Sequence, residues 1–296
     1  MSQATSIHER PSAATGKASL ALIFVIVFID LLGFAIVLPL LPRYAKDLNA
    51  SSLMIGMLMA SFSAMQFIFA PLWGRLSDRI GRRPVLLAGL LGSVAFYALF
   101  GVATVLQSIA LLFVARIGAG ICGATISTAQ AYIADATGVE SRARGMALIG
   151  AAFGAGFTFG PILGSLAVMR EPAGSGGEYV QALPGFLASG LSLLAFIVAT
   201  VKLPESLRKN APSSVRHSWL NIAAIREAMR VPSIGALLAM FFVATFAFTQ
   251  FEVTLSLLTR DALNLSARQN FYLFTYLGYV GVSLFFVLSG VVLGLS

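Results

Sequence analysis

The sequence has few cysteines, histidines and charged residues, and each shortage excludes a class of protein. Its single cysteine, Cys122, cannot form an internal disulfide, and the distant His8 and His217 offer no metal-binding cluster. Only 11% of the 296 residues are charged and 58% are hydrophobic, whereas soluble domains carry about 25% charged residues. The sequence also lacks a phosphate-binding loop and any motif that places a catalytic nucleophile beside a general base. We therefore expect neither an enzyme nor an ATP-driven pump, and no cofactor or metal.

The sequence contains instead a series of long apolar runs, each close to the roughly 20 residues that cross a bilayer. They predict an all-α membrane protein with eight spanning helices, surrounded by lipid. No small-residue cleavage site follows the first run, so it is not a signal peptide. The predicted spans are 20–41, 53–74, 84–105, 108–132, 144–168, 182–202, 232–257 and 270–294.

Lysine and arginine are distributed unequally between the two sides of these spans. Fourteen of the 20 lie in the N-terminal tail, in the loops after spans 2 and 4, and in the segment 202–230. Five lie on the opposite side, and Arg116 lies within span 4. Because basic residues concentrate in cytoplasmic loops, we expect a multi-pass protein of the inner (cytoplasmic) membrane with its N-terminus in the cytoplasm. The net charge of +8 is spread over loops, so no nucleic-acid partner is expected.

The long basic segment divides the chain into two groups of spans. We expect a disordered cytoplasmic tail over 1–18 and a six-helix bundle over 19–202. A cytoplasmic linker over 203–231 then leads to two helices of a second bundle over 232–296. Within the linker, Trp219–Arg230 fits either a short helix at the membrane surface or a plain tether.

A short charged hairpin joins spans 2 and 3, with the sequence Gly74-Arg75-Leu76-Ser77-Asp78-Arg79-Ile80-Gly81-Arg82-Arg83. So tight a connection is expected to need Gly74 and Gly81, since glycine tolerates backbone angles that other residues avoid. The pattern G-x-L-x-D-R-x-G-R-[RK] resembles the signature of the major facilitator superfamily, which implies a fold of two six-helix bundles. The resemblance implies a gating hairpin formed by Gly74, Asp78, Arg79, Gly81, Arg82 and Arg83, with Asp135, Arg142 and Arg144 as candidate partners.

Three ionisable residues lie within spans, where each costs roughly 2.5–3.5 kcal/mol unless it is paired or hydrated. Asp30 and Arg116 fall at a similar depth, so we expect them to neutralise each other. Such a pair is either released by protonation of Asp30, as proton coupling needs, or purely structural. Glu252 lies nearer the outer boundary, where it either faces the cavity or reaches into water.

Two of these spans carry a more specific resemblance. Phe28–Gly33, followed by Pro39–Pro42, resembles the first helix of drug:proton antiporters of the tetracycline-efflux and multidrug type, and Arg116–Gly120 resembles their fourth-helix motif. This implies that Asp30, Arg116 and Glu252 face a central cavity and take part in proton coupling.

Span 5 matches the antiporter pattern G-x-x-x-G-P-x-x-G-G, except that Ser165 replaces the last glycine. Glycines four residues apart line one helix face and let another backbone approach closely. The matching residues are Gly156, Gly160, Pro161 and Gly164.

The resemblance implies a secondary active transporter that uses the proton gradient to export a drug or another small amphipathic compound, and so contributes to antibiotic resistance. A metabolite or sugar carrier of the same fold and a truncated, non-transporting remnant remain alternatives. Polar residues within apolar spans are candidates for contact with the substrate, namely Gln66, Gln130, Thr249 and Gln250.

A short internal repeat relates the two groups of spans. Leu40–Arg43 with Leu48–Ser51 returns as Leu257–Arg260 with Leu263–Ser266, each between the first and second spans of its group. Parallel repeats of six spans build such transporters. On this register the chain contains one complete half and two spans of the next, so we expect it to insert into the membrane without conferring resistance by itself.

The charge bias predicts the sidedness of the loops. Reporter fusions after Arg170 and after Lys209 are expected to lie on opposite sides of the membrane, the second one in the cytoplasm. Reporters of compartment, such as alkaline phosphatase and a fluorescent protein, measure this directly. The same sidedness at both positions would contradict the eight-span topology.

Overall fold

The protein is described here by a computed structural model covering residues 13–137, 142–168, 178–207 and 232–294, together with Arg226 and Arg230. Within these residues all regular secondary structure is α-helical, and the predicted all-α fold is confirmed. The helices are α1 (Ala13–Val37), α2 (Leu41–Asp47), α3 (Ser52–Ile80), α4 (Arg82–Val105), α5 (Ile109–Gly123), α6 (Ile126–Ala136), α7 (Arg142–Ala167), α8 (Glu178–Lys202), α9 (Pro232–Asp261) and α10 (Ala267–Gly294).

Six stretches of helix in the described residues are long and apolar enough to cross a membrane. Two further helices, α9 and α10, contain 30 and 28 residues, which at 1.5 Å per residue is roughly 42–45 Å of length. The predicted multi-pass architecture is therefore confirmed. The six stretches are Ser19–Asp47, Ser52–Ile80, Arg82–Val105, Ile109–Ala136, Arg142–Ala167 and Ala182–Lys202.

Helix α1 begins earlier than predicted, because Ala13 and the residues after it, assigned to the disordered tail, are helical. Alanine has the highest helix propensity, so a spanning helix extends through this segment at little cost. The rest of the tail, over 1–12, lies outside the described residues. So does most of the linker, including Trp219–Arg230 apart from two arginines, and its helix and tether alternatives remain open.

The predicted fourth span is broken into α5 and α6. At the break, the carbonyl groups of Ile121 and Gly123 accept side-chain hydrogen bonds from α3. The Trp73 indole nitrogen lies 2.7 Å from the Ile121 oxygen, and the Gln66 amide nitrogen lies 3.2 Å from the Gly123 oxygen. Irregular backbone at membrane depth requires such partners, since lipid supplies none.

Close approaches between backbones fix the positions of the helices. Gly101 of α4 meets Gly185 of α8, where a Cβ atom added to Gly185 would lie 2.7 Å from the Gly101 nitrogen. Helix α1 packs against both α7 and α8. These contacts give the first bundle its core and place one face of α1 against α7.

The charged hairpin is tighter than the sequence indicates. Helix α3 continues through Ile80, α4 begins at Arg82, and only Gly81 separates them. Gly81 has φ +110°, in a region open to glycine almost alone. Gly74, in contrast, lies inside α3, and no atom outside that helix's neighbouring backbone lies within 4 Å of its would-be Cβ. The requirement for special backbone angles therefore holds at Gly81 and is wrong at Gly74.

This difference predicts opposite effects for two matched substitutions. Gly81→Ala is expected to destabilise the protein by about 1–3 kcal/mol, because alanine is strained at this backbone conformation. Gly74→Ala is expected to be neutral or to stabilise α3 by up to about 1 kcal/mol. Thermal unfolding of the purified variants in detergent measures both effects. Equal losses of stability would contradict the assignment of Gly81 as the single turn residue.

Candidate functional site

On the side of the membrane predicted to be cytoplasmic, Arg82 joins the hairpin to the end of α6. Its buried guanidinium lies 2.5 Å from Asp78 and 3.0 Å from Asp135, and donates a 2.7 Å hydrogen bond to Ser77 Oγ. Two carboxylates and a hydroxyl thus compensate one buried cation, as buried charges require. Of the candidate partners Asp135 makes the contact, whereas Arg142 and Arg144 are exposed. The gating role of this cluster remains a prediction.

Glu205, just after α8, is a member of this cluster that the sequence analysis missed. Its carboxylate accepts hydrogen bonds from the backbone nitrogens of Arg82, at 2.8 Å, and Arg83, at 3.1 Å. These are among the first N–H groups of α4, which have no partner within the helix and attract negative charge. Arg83 also donates a 2.6 Å hydrogen bond to the Thr200 carbonyl of α8. The only sequence signal was an acidic residue within a basic segment.

Asp30 lies on α1 between α4 and α8. Ser192 Oγ of α8 donates a 2.9 Å hydrogen bond to the Asp30 carboxylate, and the hydroxyl of Ser93 on α4 lies close enough to interact with it. Both serines are buried. Asp30 is thus stabilised inside the first bundle by hydroxyl groups from two helices.

Arg116 does not pair with Asp30, which corrects the expectation from depth. It is 3% exposed, and its guanidinium carbon lies 4.5 Å from the centre of the Phe62 ring and 5.9 Å from that of Phe34. Phe34 follows Asp30 by one turn of α1. A depth estimated by counting residues on two separate helices is uncertain by about one turn, so it could not tell which of these two residues lies beside Arg116. The described charge that acts on Arg116 is Glu252 of α9. The buried Tyr97 lies within electrostatic range of both Asp30 and Arg116.

Glu252 is buried, with 6% of its surface exposed, so the alternative in which it reaches into water is wrong. It forms part of the wall of a cavity of about 650 Å³ between α1, α7, α9 and α10. The remaining wall is apolar. It consists of Ala35, Pro39, Gly150, Ala151, Phe153, Gly154, Phe157, Pro161, Phe248, Phe251, Phe274, Leu277, Gly278 and Gly281.

The antiporter-like motif of α7 lies where this helix meets α1 and α10. A Cβ atom on Gly156 would lie 3.0 Å from the Leu31 Cβ, and one on Gly160 would lie 2.6 Å from the Ala35 Cβ. A Cβ on Gly164 would meet the Phe271 ring of α10 at 2.5 Å. Pro161 forms part of the cavity wall, and Ser165 is buried, where its hydroxyl donates to the Ile162 carbonyl at 2.7 Å.

On the opposite side of the membrane, two arginines connect the two groups of spans; we call this contact the outer latch. Arg43 donates hydrogen bonds to the carbonyls of Leu265 and Ser266, between α9 and α10. Arg260 donates to the Arg43 carbonyl at 3.0 Å and pairs with Asp47. Arg43 and Arg260 occupy equivalent positions in the internal repeat. Each arginine therefore binds the segment that contains the other.

The backbone of the latch follows the same repeat. Asn49 has φ 56° and its counterpart Asn264 has φ 50°, both in the left-handed region that asparagine tolerates. Ser256 of α9 adds a 2.7 Å hydrogen bond to the Pro39 carbonyl. The two copies therefore share backbone conformation as well as sequence.

The four polar candidates for substrate contact lie away from the cavity wall. Gln66 binds the break between α5 and α6, Gln130 and Gln250 are exposed, and Thr249 is half-buried. Their contact with a substrate remains a prediction.

The sequence matches the family described as Major Facilitator Superfamily over residues 23–295. It is 38% identical to the class E tetracycline resistance protein of Escherichia coli, covering 74% of this chain and 52% of that protein. It is 36% identical to the class C protein of Escherichia coli, covering 77% and 56%. The chain spans about half the length of these curated relatives.

Solved structures share the fold. The human organic anion transporter MFSD10 matches with a TM-score of 0.65 and 27% identity, covering 91% of this chain and 70% of that one. A bacterial homologue of the lysosomal transporter Spinster, inward-facing and unoccupied, matches with a TM-score of 0.71 over 92% of this chain and 61% of that one. At 16% identity, the second similarity concerns the fold alone.

The outer latch predicts that Arg260→Gln loosens the contact between the two groups of spans. The substitution removes an ion pair and a hydrogen bond, together about 1–2 kcal/mol. Spin labels at Lys46 and at the exposed Leu263, with Cys122 replaced by serine, report the separation by double electron–electron resonance. The distance distribution is expected to lengthen and broaden.

The matched control is Arg268→Gln, which removes an exposed arginine whose side-chain hydrogen bond is to Tyr272 on its own helix. It is expected to leave the distribution unchanged. Indistinguishable distance distributions for Arg260→Gln and the unsubstituted protein would show that the outer latch does not hold the two groups of spans together.

Proposed function

Since the chain belongs to the major facilitator superfamily, we propose that it acts in secondary active transport, exporting a drug or another small amphipathic compound in exchange for protons. The curated tetracycline resistance proteins, at 36–38% identity, support the drug-export branch. The proton gradient supplies the energy, and the protein works in the inner membrane with its N-terminus in the cytoplasm. Because the chain spans about half of those relatives, substrate and coupling are both part of the proposal.

One observation carries this proposal: the glycine face of α7 contacts α1 directly beside Asp30. Gly156 meets Leu31, the residue after Asp30, and Gly160 meets Ala35 one turn further along. Alternating access works by rocking one group of helices against another around a central site. The same helix carries small-residue contacts to the second group of spans, because Gly164 meets the Phe271 ring of α10 and Gly278 of α10 meets the Phe157 backbone. Small residues at such contacts let helices of the two groups approach closely.

Asp30 suits proton exchange because its charge is stabilised by groups that can reorient. A hydrogen bond to a charged group contributes about 1.5–3 kcal/mol; Ser192 provides one such bond, and Ser93 of a third helix interacts with the same carboxylate. Protonation removes the negative charge, and with it the preference of both hydroxyls for the Asp30 carboxylate. The packing of α1 against α4 and α8 then changes with the protonation of one residue.

The charged clusters on the two sides of the membrane fit the same cycle. The outer latch joins α2 to α9 and α10, and it must open before a substrate can leave on that side. The Arg82 cluster joins the α3–α4 hairpin to α6 and to Glu205. In the proposal, Arg82 and Asp78 act as the gating hairpin that the motif implies.

The cavity favours an amphipathic compound over a sugar. Sugar hydroxyls need several donors and acceptors, since an unpaired buried polar group costs about 1–3 kcal/mol. Glu252 is the single ionisable residue on the described wall, which is otherwise formed by phenylalanine, proline and small residues. A metabolite or sugar carrier is therefore less consistent with the cavity than a drug exporter.

Asp30→Asn tests the coupling in a twelve-span version of the protein, in which four further spans are added to complete the second six-helix bundle. Asparagine keeps the oxygen that accepts from Ser192 but cannot take up a proton, so the fold is expected to persist while proton-linked export falls to background. Inverted membrane vesicles with a pH-sensitive dye measure proton movement when the drug is added. Asp261→Asn, at an exposed position at the end of α9, controls for loss of a carboxylate.

Membrane content and thermal stability of Asp30→Asn are measured alongside, to separate coupling from folding. Proton-linked export at the unsubstituted rate would remove Asp30 from the coupling mechanism. No export by the unsubstituted twelve-span version, with any tested amphipathic compound, would reject the proposed function.

A further inference from the structure

Another cavity, which we call the small cavity, lies beside Asp30 between α1, α4 and α6. Its volume is about 30 Å³. Since a site for one water molecule needs roughly 10–15 Å³, the small cavity has room for about two particles of that size. The polar groups on its described wall belong to Asp30 and Thr125. The rest of this wall is apolar and consists of Ile26, Val27, Leu31, Leu86, Leu90, Ile126 and Ala129.

The Asp30 carboxylate borders the small cavity without a cationic partner. Its described contacts are hydroxyl groups, from Ser192 Oγ at 2.9 Å and from Ser93. No ion pair of Asp30 with a lysine or arginine occurs among the described residues. Hydroxyl groups stabilise a negative charge without neutralising it, and a charge at membrane depth is costly unless it is paired. A small cation next to Asp30 would supply the missing charge.

Thr125 provides a further oxygen atom at the break between α5 and α6. Its hydroxyl donates a 3.0 Å hydrogen bond to the Cys122 carbonyl, so the lone pairs of the Thr125 oxygen remain available to a cation. Gly89 of α4 lets this side chain approach closely, because a Cβ atom on Gly89 would lie 2.7 Å from Thr125 Oγ1. The packing of α4 against the break therefore fixes the position of this oxygen.

The break also favours a cation electrostatically. Helix α5 ends at Gly123, two residues before Thr125, and the last carbonyl groups of a helix carry partial negative charge. Asp30 lies within electrostatic range of Cys122 in the last turn of α5. In membrane carriers, discontinuous helices place such helix ends around Na⁺ or a proton. Asp30, Thr125 and the end of α5 thus form a small site of negative potential.

We propose that the small cavity binds one Na⁺ ion, coordinated by the Asp30 carboxylate and the Thr125 hydroxyl, with water completing the coordination shell. A hard cation of this kind binds oxygen atoms, so it needs none of the cysteines and histidines in which the sequence is poor. The binding site stands on the geometry around Asp30, and only its use as an alternative to the proton in transport rests on the proposed function.

The charge and the size of the small cavity distinguish Na⁺ from other occupants. The described wall carries one carboxylate, which balances one positive charge, so Ca²⁺ or Mg²⁺ would leave a positive charge in excess. K⁺ is larger than Na⁺, and selectivity between hard cations depends on cavity size and on the number of ligands. Water alone would leave the charge of Asp30 unpaired.

Binding of Na⁺ alone to the purified chain in detergent tests the proposal. Equilibrium dialysis with radioactive sodium measures the affinity, and choline chloride keeps the ionic strength constant. We expect saturable binding, with K⁺ and Mg²⁺ each competing at least about tenfold less well than unlabelled Na⁺. Na⁺ is also expected to raise the unfolding temperature above that in choline, because a ligand of the folded state stabilises it.

Two substitutions of Thr125 separate coordination from packing. Thr125→Val keeps the shape and removes the oxygen, so it is expected to weaken Na⁺ binding about tenfold, whereas Thr125→Ser keeps the oxygen and is expected to retain binding within about threefold. Thr128→Val is the matched control on α6. Thr128 is buried outside the described cavity wall, and its hydroxyl has no hydrogen-bond partner among the described residues. It is expected to leave the affinity unchanged.

Asp30→Asn is expected to abolish Na⁺ binding, because it removes the charge that the ion balances. If this variant aggregates, the Thr125 and Thr128 variants decide. The absence of saturable Na⁺ binding, equal or tighter binding of K⁺, binding that persists in Asp30→Asn, or equal effects of Thr125→Val and Thr128→Val would each overturn the proposal.

The vesicle assay separates this outcome from failure of the proposed function. Na⁺ binding without drug export in the twelve-span version would support the sodium site and reject the transport role. Proton-linked export by a protein that shows no saturable Na⁺ binding would reject the sodium site alone.

Discussion

A polar group in the hydrocarbon layer must find its partner inside the protein, because lipid offers none. This constraint accounts for the contacts of Asp30 with two serines, and for the hydrogen bonds of Gln66 and Trp73 to carbonyls at the break between α5 and α6. Arg116 meets it incompletely, with two aromatic rings and a distant carboxylate. Arg116 and Glu252 belong to the residues for which the resemblance implies a role in proton coupling, and that role remains a prediction.

Small residues make the rest of the architecture possible. Gly101 with Gly185, and Gly156 and Gly160 with α1, bring helix backbones closer than larger side chains allow. Packing in membranes depends on such approach, since burial of apolar surface between helices gains little over lipid. Gly156 meets Leu31 next to Asp30, whereas charged and polar groups join the helices at both ends of the spans. The described part of the fold thus combines charged clusters at its ends with close glycine contacts between helices.

Of the contacts that the sequence suggested between candidate residues, the structure shows one and not another, for physical reasons. Arg82 and Asp135 do meet, because opposite charges at neighbouring ends of spans have few other partners. Asp30 and Arg116 do not, because similar depth on two helices leaves one turn undetermined. Glu205 was missed, since its role depends on the free N–H groups at the start of α4, which a sequence reveals only when the helix boundary is known.

The sequence by itself determined the helical class, the six apolar spans found in the structure and the superfamily, because span length, alternation with basic loops and the hairpin motif are local properties of the chain. Only the tertiary structure decided that Gly81 alone separates α3 from α4, that Glu252 is buried in the wall of an aromatic cavity, and that each of the two repeated arginines binds the segment containing the other. Each of these depends on how helices distant in sequence rotate and pack against each other, and neither spacing nor composition specifies that rotation.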